Sequence, residues 1–474
     1  MYSLPLATAV LTLFITWLAV YFWKRNRKLP PGPWGLPVLG YYPFLTSRPY
    51  MKFVELAKTY GNIFSFRTSG GNLIVVVNGA KKVKEIFVNR TDEIIGRPRG
   101  SNLVSWSTDG LGITQEEGAD WREQRRFFLQ TAKTLGFGKS EMEDLLHEEV
   151  RGFIQDLRET NGTSTDIKHS LAYATGSVAT RLLFSTKFQK NDRRFQDMYE
   201  GLVELLKLFI SNVNFLVGPY FDLSLWLRSD MSKIQQGKKH VYEVANFVIE
   251  QHVKSFDVNN PKDLVDEFLK LMHDDRKKGG NSFTHKRLQA AVINIFIDGV
   301  ESVTTAITLL LLELSKYPDA QSRIQKELDA IVGQERLPSW LDRQNMPYFE
   351  AVIQELWRFS APVAVTTLYS NFKDMTIDNY TIPKRSILVA NLWSANNDPE
   401  LYKNPEEFKP ERFLSTDGKR DKRDGPYPFG LGKRSCAGES LAQMEVFVFL
   451  GSILQNFCVL PGNSDHELRM VPRD

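Results

Sequence analysis

The residues of this chain best suited to chemistry lie in one stretch near the C-terminus, Phe429-Gly430-Leu431-Gly432-Lys433-Arg434-Ser435-Cys436-Ala437-Gly438, which reads F-x-x-G-x-R-x-C-x-G. As a thiolate, Cys436 is both a nucleophile and a metal ligand. A single protein thiolate can hold heme iron and push electron density toward it, which favours O–O cleavage. Gly432 and Gly438 permit a tight backbone path beside a flat cofactor. Arg434 can donate a charge-assisted hydrogen bond to a heme propionate. The run from Glu439 to Leu454 reads as a buried helix whose N-terminal dipole points near the sulfur and favours its anion. Cys458 has no such neighbours and reads as an inert buried side chain.

On this signature the chain resembles the cytochrome P-450 heme-thiolate monooxygenases, and the overall pattern is similar to the animal microsomal group that oxidises steroids and xenobiotics. The resemblance implies a mainly α fold with a minor β region. It places heme b (iron protoporphyrin IX) between a long central helix and the cysteine loop, with Cys436 as axial ligand and Phe429, Gly432, Arg434 and Gly438 around it. Further motifs carry it. Trp121 and Arg125 form W-x-x-x-R, one helical turn apart and on one face. The resemblance assigns both to the propionates. Glu355 and Arg358 form E-x-x-R, again on one face, where they can pair. The resemblance joins them to Arg412 of Pro410-Glu411-Arg412-Phe413 as a structural set beneath the cysteine loop. The stretch from Asn391 to Pro399 also resembles a family segment.

These residues need elements to position them. Leu288 to Leu314 reads as a long apolar core helix with a polar middle, Asp298-Gly299-Val300-Glu301-Ser302. A glycine inside a helix costs about 1 kcal/mol against alanine, so Gly299 implies room for a ligand. The family pattern here is A-G-x-[D/E]-T, which Gly299 and Glu301 match and two positions do not. Ser302 stands where the resemblance implies a threonine that helps deliver protons to bound dioxygen. Serine keeps a donor and an acceptor, or its hydroxyl bonds back to the preceding turn. Asp298 replaces an alanine, and either hydrogen-bonds a substrate hydroxyl or amine or turns away to water. Asp298, Gly299, Glu301 and Ser302 are the candidate catalytic residues. Ala361 to Ser370 lacks the basic residue that relatives often carry for a propionate, so Trp121, Arg125 and Arg434 must bear that role, and Thr366, Thr367 and Leu368 should border the pocket. Elsewhere residues 50–60 read as a helix, and Ile63–Thr68 and Leu73–Asn78 as strands around a Ser69–Asn72 turn. More strand-like pieces follow near Met375–Ile387.

Composition removes other classes. A net charge of +4 over 60 basic and 56 acidic residues argues against nucleic acid. Two cysteines exclude a disulfide framework, and the seven histidines show no H-E-x-x-H spacing that would hold zinc. Leu6 to Trp23 carries no charge and as a helix would span about 27 Å, near the bilayer core. Lys24, Arg25, Arg27 and Lys28 follow, which makes the body cytosolic. A cleaved signal peptide is the competing reading, opposed by the uncharged start and the lack of an A-x-A site. The expected organisation is a membrane anchor at 1–23, a basic and proline-rich hinge at 24–40 and a catalytic domain at 41–474. Similar hinges in the family point to the endoplasmic reticulum membrane.

Two regions should shape the substrate site: Gly100–Ala119 with Trp106, and the apolar Leu202–Leu227 with Phe209, Phe215, Phe221 and Trp226. Such a pocket suits a hydrophobic steroid, fatty acid, terpenoid or xenobiotic. No GxGxxG unit is evident, so electrons come from outside. The resemblance implies NADPH–cytochrome P-450 reductase, with cytochrome b5 as a second donor. Lys419, Arg420, Lys422, Arg423 and Lys433 offer either a docking face or a solvated charge run. The expected reaction is insertion of one oxygen atom of O2 as hydroxylation or epoxidation. A relative that rearranges peroxides or dehydrates without external electrons, and a non-catalytic heme sensor or lipid-binding protein, are the alternatives.

Overall fold

The computed structural model describes residues 12, 13, 16, 28–136, 142–209, 211–277, 282–421 and 425–473. The anchor expected at Leu6–Trp23 lies outside them apart from three positions, as do residues 24–27 of the hinge and Lys422 and Arg423 of the basic run.

The architecture is helical around a small sheet. Helices follow in the order α1 (Pro49–Tyr60), α2 (Gly118–Thr134), α3 (Glu143–Glu159), α4 (Lys168–Phe184), α5 (Arg193–Phe209), α6 (Met231–Ser255), α7 (Leu264–Lys277), α8 (His285–Leu314), α9 (Pro318–Ile331), α10 (Pro347–Ser360) and α11 (Glu439–Asn456). The main sheet has strands β1 (Ile63–Arg67), β2 (Leu73–Val77), β3 (Tyr369–Ser370) and β4 (Ile387–Ala390) in the order β1-β2-β4-β3. β1 and β2 pair antiparallel, Ile63 opposite Val77, around a turn in which Gly70 has φ +77°. β4 joins β2 in parallel with Ile74 opposite Ile387. The Leu-Ile-Val-Val-Val run of β2 and the Ile-Leu-Val-Ala run of β4 are buried along most or all of their length, as strands covered on both faces should be. The strand-like stretch at 375–387 resolves into a short pair, Met375–Ile377 with Tyr380–Ile382, followed by the start of β4.

α8 is the axis of the fold. Thr284 caps it by accepting from the Arg287 N–H. Its apolar face packs against α4, α10 and α11. It is the one helix among the described residues long and apolar enough to cross a membrane, and most of that apolar surface is buried in the core. α11 is buried almost all round, from Met444 to Gln455, and places Phe447 5.0 Å from Phe349 of α10. The apolar stretch 202–227 is broken: α5 ends at Phe209, a short turn covers Asn212–Phe215, and a separate helix covers Pro219–Trp226. Gly218, at φ +73°, sets the break.

The proline-rich segment is docked against the body. Ser65 of β1 donates its N–H to the Pro31 carbonyl at 2.8 Å and its hydroxyl to the Pro30 carbonyl at 2.7 Å. Gly32 lies so close to Ser65 that a Cβ would sit 1.7 Å from its carbonyl oxygen. The spacer is therefore held by the sheet as well as by its own stiffness.

Below the cysteine loop the structure brings together Glu355, Arg358 and Arg412. Arg358 donates to both carboxylate oxygens of Glu355, at 2.7 and 2.9 Å, and both side chains are fully buried. Arg412 reaches Glu355 at 3.1 Å. The remaining donors bind chain: Arg358 to the carbonyls of Asn396, Pro405 and Glu407, and Arg412 to those of Lys403, Asn404 and Glu407. One ion cluster thus pins the irregular segment between residues 396 and 412 to α10. Removing one partner leaves a buried charge unpaired, which costs about 3–5 kcal/mol. Arg358→Ala should lower stability by that amount in urea unfolding. A loss of under about 1 kcal/mol would show that the cluster does not anchor the segment.

Candidate active site

The cysteine loop enters its turn through Gly432, at φ +67°, where a Cβ would lie 2.1 Å from the Phe87 carbonyl oxygen. Only glycine fits there. The Cys436 N–H donates to the Phe429 carbonyl at 2.8 Å, closing the loop on itself. Phe429 stacks edge-on against Trp357 of α10, 5.5 Å between centroids. Gly438 caps α11, and a Cβ there would stand 4.0 Å from the Cys436 sulfur. Burial pushes the Cys436 thiol up, outweighing the Gly438 N–H and the Arg125 charge that favour the thiolate. Asp298 and Glu439 push in the same direction as burial. The helix end alone therefore does not ionise this sulfur. A metal cation at the sulfur would, because coordination requires the thiolate.

Around the loop sits a cluster of positive charge. Arg434 is clamped to the segment before α2, donating to the carbonyls of Ile95, Ile113 and Glu116. Its guanidinium lies 3.9 Å from the Trp121 ring centroid. Arg125 donates to the Ser435 carbonyl at 2.7 Å. Arg97 joins them, donating to the carbonyls of Thr114 at 2.7 Å and Leu368 at 3.0 Å. Burial lowers all three guanidinium pKa values, and Arg434, beside Arg97, falls to about 8. The acids of the same loop are engaged elsewhere: Glu116 pairs with Arg287, and Glu117 with Arg385. The Trp121 indole N–H is buried with no acceptor. A planar group carrying two carboxylates would give these donors both acceptors and counter-charge. The donor set therefore fits heme b: Trp121, Arg125, Arg434 and Arg97 would meet its propionates and Cys436 its iron.

Across from the sulfur, α8 departs from regular geometry. A π-helical turn covers Phe296–Glu301, the polar middle noted in the sequence. Such turns recur at functional sites because they widen the helix and re-aim its side chains. Asp298 and Ser302 keep open surface although their neighbours Ile297, Val300 and Val303 are buried. Cys436 is also open, and the Asp298 charge acts on it, so these residues face one internal cavity. Asp298 accepts from the Thr114 hydroxyl at 3.1 Å. Burial within the protein pushes its carboxyl up to about 6, against the Thr114 hydrogen bond. Gly299 has only the Ile295 side chain near where a Cβ would be, at 3.8 Å.

The Ser302 hydroxyl donates back to the Asp298 carbonyl. Glu301 is not brought to the cavity. It is buried and paired with Lys168 of α4 at 2.6 Å, and it accepts from the Thr305 hydroxyl. Thr366 is held by β4, accepting from the Ala390 N–H at 3.0 Å, whereas Thr367 is exposed. Trp106 lies 4.8 Å from the Lys238 ammonium, which ties the loop before α2 to α6.

Sequence reasoning missed Arg97, Thr114 and Lys168. Arg97 belongs to no spaced motif, and its place emerges only from the Leu368 carbonyl, 271 positions away. Thr114 and Lys168 are likewise defined by partners on α8.

Comparison with known proteins agrees with this geometry. The family profile described as Cytochrome P450 matches residues 30–472. Cytochrome P450 2C54 of Mus musculus is 35% identical over 99% of this chain and 96% of its own length. Cytochrome P450 2C8 of Homo sapiens is 34% identical over 94% of this chain and 92% of its own. Cytochrome P450 18a1 of Drosophila melanogaster is 34% identical over 95% of this chain and 85% of its own.

The raised carboxyl of Asp298 has a consequence for stability. The group binds its proton more tightly folded than unfolded, so the cost of burying it is absent below about pH 4, grows as pH rises toward 6, and stays constant above. Asp298→Asn should therefore raise the thermal midpoint at pH 7.5 more than at pH 5. Equal shifts at both pH values would mean that the carboxylate is fully solvated.

Proposed function

The chain belongs to the cytochrome P450 family and is a heme-dependent monooxygenase, and on that premise we propose that it hydroxylates or epoxidises an apolar substrate at the endoplasmic reticulum membrane, with electrons from NADPH through a membrane-bound reductase. The observation that carries this reading is the internal cavity with Cys436 on one side, Asp298 and Ser302 on the other, and an arginine cluster at its edge.

Heme b held there by a thiolate supplies reductive activation of dioxygen and transfer of one of its atoms to substrate. The chain's own residues supply the rest. Cys436 would ligate the iron. Arg97, Arg125, Arg434 and the Trp121 N–H would hold the propionates. Gly299 leaves the helix surface low. Ser302 offers its hydroxyl for proton delivery, exchanging the Asp298 carbonyl for a water on the cavity side. Asp298 orients a substrate hydroxyl or amine. Glu301 acts at one remove, by holding the π turn through Lys168 and Thr305.

A membrane setting is supported by apolar surface outside the core. Trp34 is 84% and Trp226 78% exposed, with Leu36, Val38, Leu39, Leu223 and Leu227 also open. The segments bearing them meet at Gly70, whose N–H donates to Val38 and which lies against Tyr220. A patch of this kind suits contact with lipid. The anchor expected at residues 1–23 would seat it there. In the basic run, Lys433 is held by Asp92 at 2.6 Å, Arg420 by Glu350 at 3.1 Å and Lys419 by Asp417 at 3.2 Å. Among the described residues of that run each cation is paired, so the reductase, and cytochrome b5 with it, rest on family membership.

Reduced protein under carbon monoxide should show the thiolate-type heme absorption band, and Cys436→Ser should abolish it. NADPH-dependent oxygen uptake with reductase should accompany product formation. Product formed with neither NADPH nor O2 would favour the peroxide-rearranging alternative, and no turnover on any lipid or xenobiotic panel would favour the sensor. Ser302→Ala should lower product formed per NADPH oxidised, and unchanged coupling would remove its hydroxyl from proton delivery. Asp298→Ala should change the ranking of hydroxylated against unsubstituted substrates.

A further inference from the structure

The C-terminal turn of α6 meets the start of α7 through three buried polar side chains, His252, Asp263 and Asp266. One potential ligand atom from each lies within 4.8 Å of the others. Helix capping explains only half of the two carboxylates. Asp263 Oδ1 accepts from the Val265 and Asp266 N–H groups, both at 3.0 Å, and Asp266 Oδ2 accepts from the Lys262 N–H at 3.1 Å. The first two bonds satisfy N–H groups of the first turn of α7, and the third holds the chain just before it. The second oxygen of each carboxylate serves no cap. Asp263 Oδ2 lies 2.7 Å from His252 Nε2, and Asp266 Oδ1 is buried without a hydrogen-bond partner.

The histidine is oriented from behind. Its Nδ1 lies 2.8 Å from the Val248 carbonyl, a contact that requires the proton on Nδ1. In the neutral ring Nε2 then presents a lone pair to the carboxylate of Asp263. Two acceptors 2.7 Å apart need a cation between them, either a second proton or a metal ion. An Nδ1–H donated to a backbone carbonyl is also how metal-ligating histidines are held. A second proton on His252 cancels one carboxylate and leaves the other buried and uncompensated. A divalent ion with neutral imidazole cancels both. The other cation bearing on Asp266, Lys262, is exposed.

We propose that His252 Nε2, Asp263 Oδ2 and Asp266 Oδ1 form a structural site for a divalent transition ion, best matched by Zn2+, that staples α6 to α7. One imidazole and two carboxylate oxygens leave a fourth tetrahedral position for water. At Zn–N and Zn–O distances of about 2.0–2.2 Å, neighbouring ligands stand roughly 3.3 Å apart, so His252 and Asp263 must part by about 0.6 Å to admit the ion.

The test uses the heme-loaded full chain, treated with chelator and dialysed, in which Cys436 is committed to iron. Zinc titration followed by calorimetry should give one equivalent bound, with the thermal midpoint rising by a few degrees. Asp266→Asn keeps the size and the capping oxygen, and should weaken binding at least about tenfold. His252→Gln should do the same. Circular dichroism and the zinc-free midpoint establish that both variants are folded. Zinc binding that is equal in wild type and in folded Asp266→Asn, or none in wild type at micromolar zinc, overturns the proposal.

Discussion

Positive charge buried beside a thiol is the constraint on which the rest of the site depends. Arg97, Arg125 and Arg434 lie in protein where burial works against each of them, and the carboxylates of the adjoining loop are held by Arg287 and Arg385. Bringing like charges together at low dielectric is unfavourable unless something compensates. The chain compensates partly with backbone. Carbonyls of Ile95, Ile113, Thr114, Glu116, Leu368 and Ser435 all accept from these three side chains. Those carbonyls belong to the segment before α2, the approach to β3 and the cysteine loop. The same contacts that hold the charges also hold the three loops that frame the cavity. A dianionic ligand would complete the arrangement.

The scaffold beneath is built on the same logic with opposite bookkeeping. Glu355 supplies one negative charge to two arginines, and the surplus donors go to carbonyls of an otherwise irregular segment. In this fold, arginine acts as a backbone clamp wherever regular secondary structure gives out. Its planar fork of donors suits it to that task better than the point charge of lysine.

The parts legible in the sequence were those whose chemistry is local. The cysteine loop, Trp121 with Arg125 and Glu355 with Arg358 each lie within a turn or a short loop, so spacing alone puts their side chains on one face. Strands β1 and β2 and helices α1, α8 and α11 were readable for the same reason, since their apolar patterns are continuous. Other features are set by distant partners. Arg97 looks like one charge among several until Leu368 comes beside it. Glu301 fits a catalytic motif by position, yet Lys168 of α4 holds it away from the cavity. The break of the apolar stretch falls at Gly218-Pro219, a pair that marks a turn in the sequence and that reading 202–227 as one apolar region passed over.

The two departures on α8 belong together. A π turn frees a carbonyl that a regular helix would engage, and the Ser302 hydroxyl donates to the carbonyl of Asp298. The Asp298 side chain accepts from Thr114, which lies in the loop that Arg97 and Arg434 also clamp. A chain of contacts therefore runs from the serine, through the aspartate, to the loop that Arg97 and Arg434 clamp. An alanine at 298 would break it at the carboxylate. A threonine at 302 would bring a methyl group to the open side of the turn. The residues that look like losses relative to the family motif act in this chain as a tie between the central helix and the loop that closes the cavity.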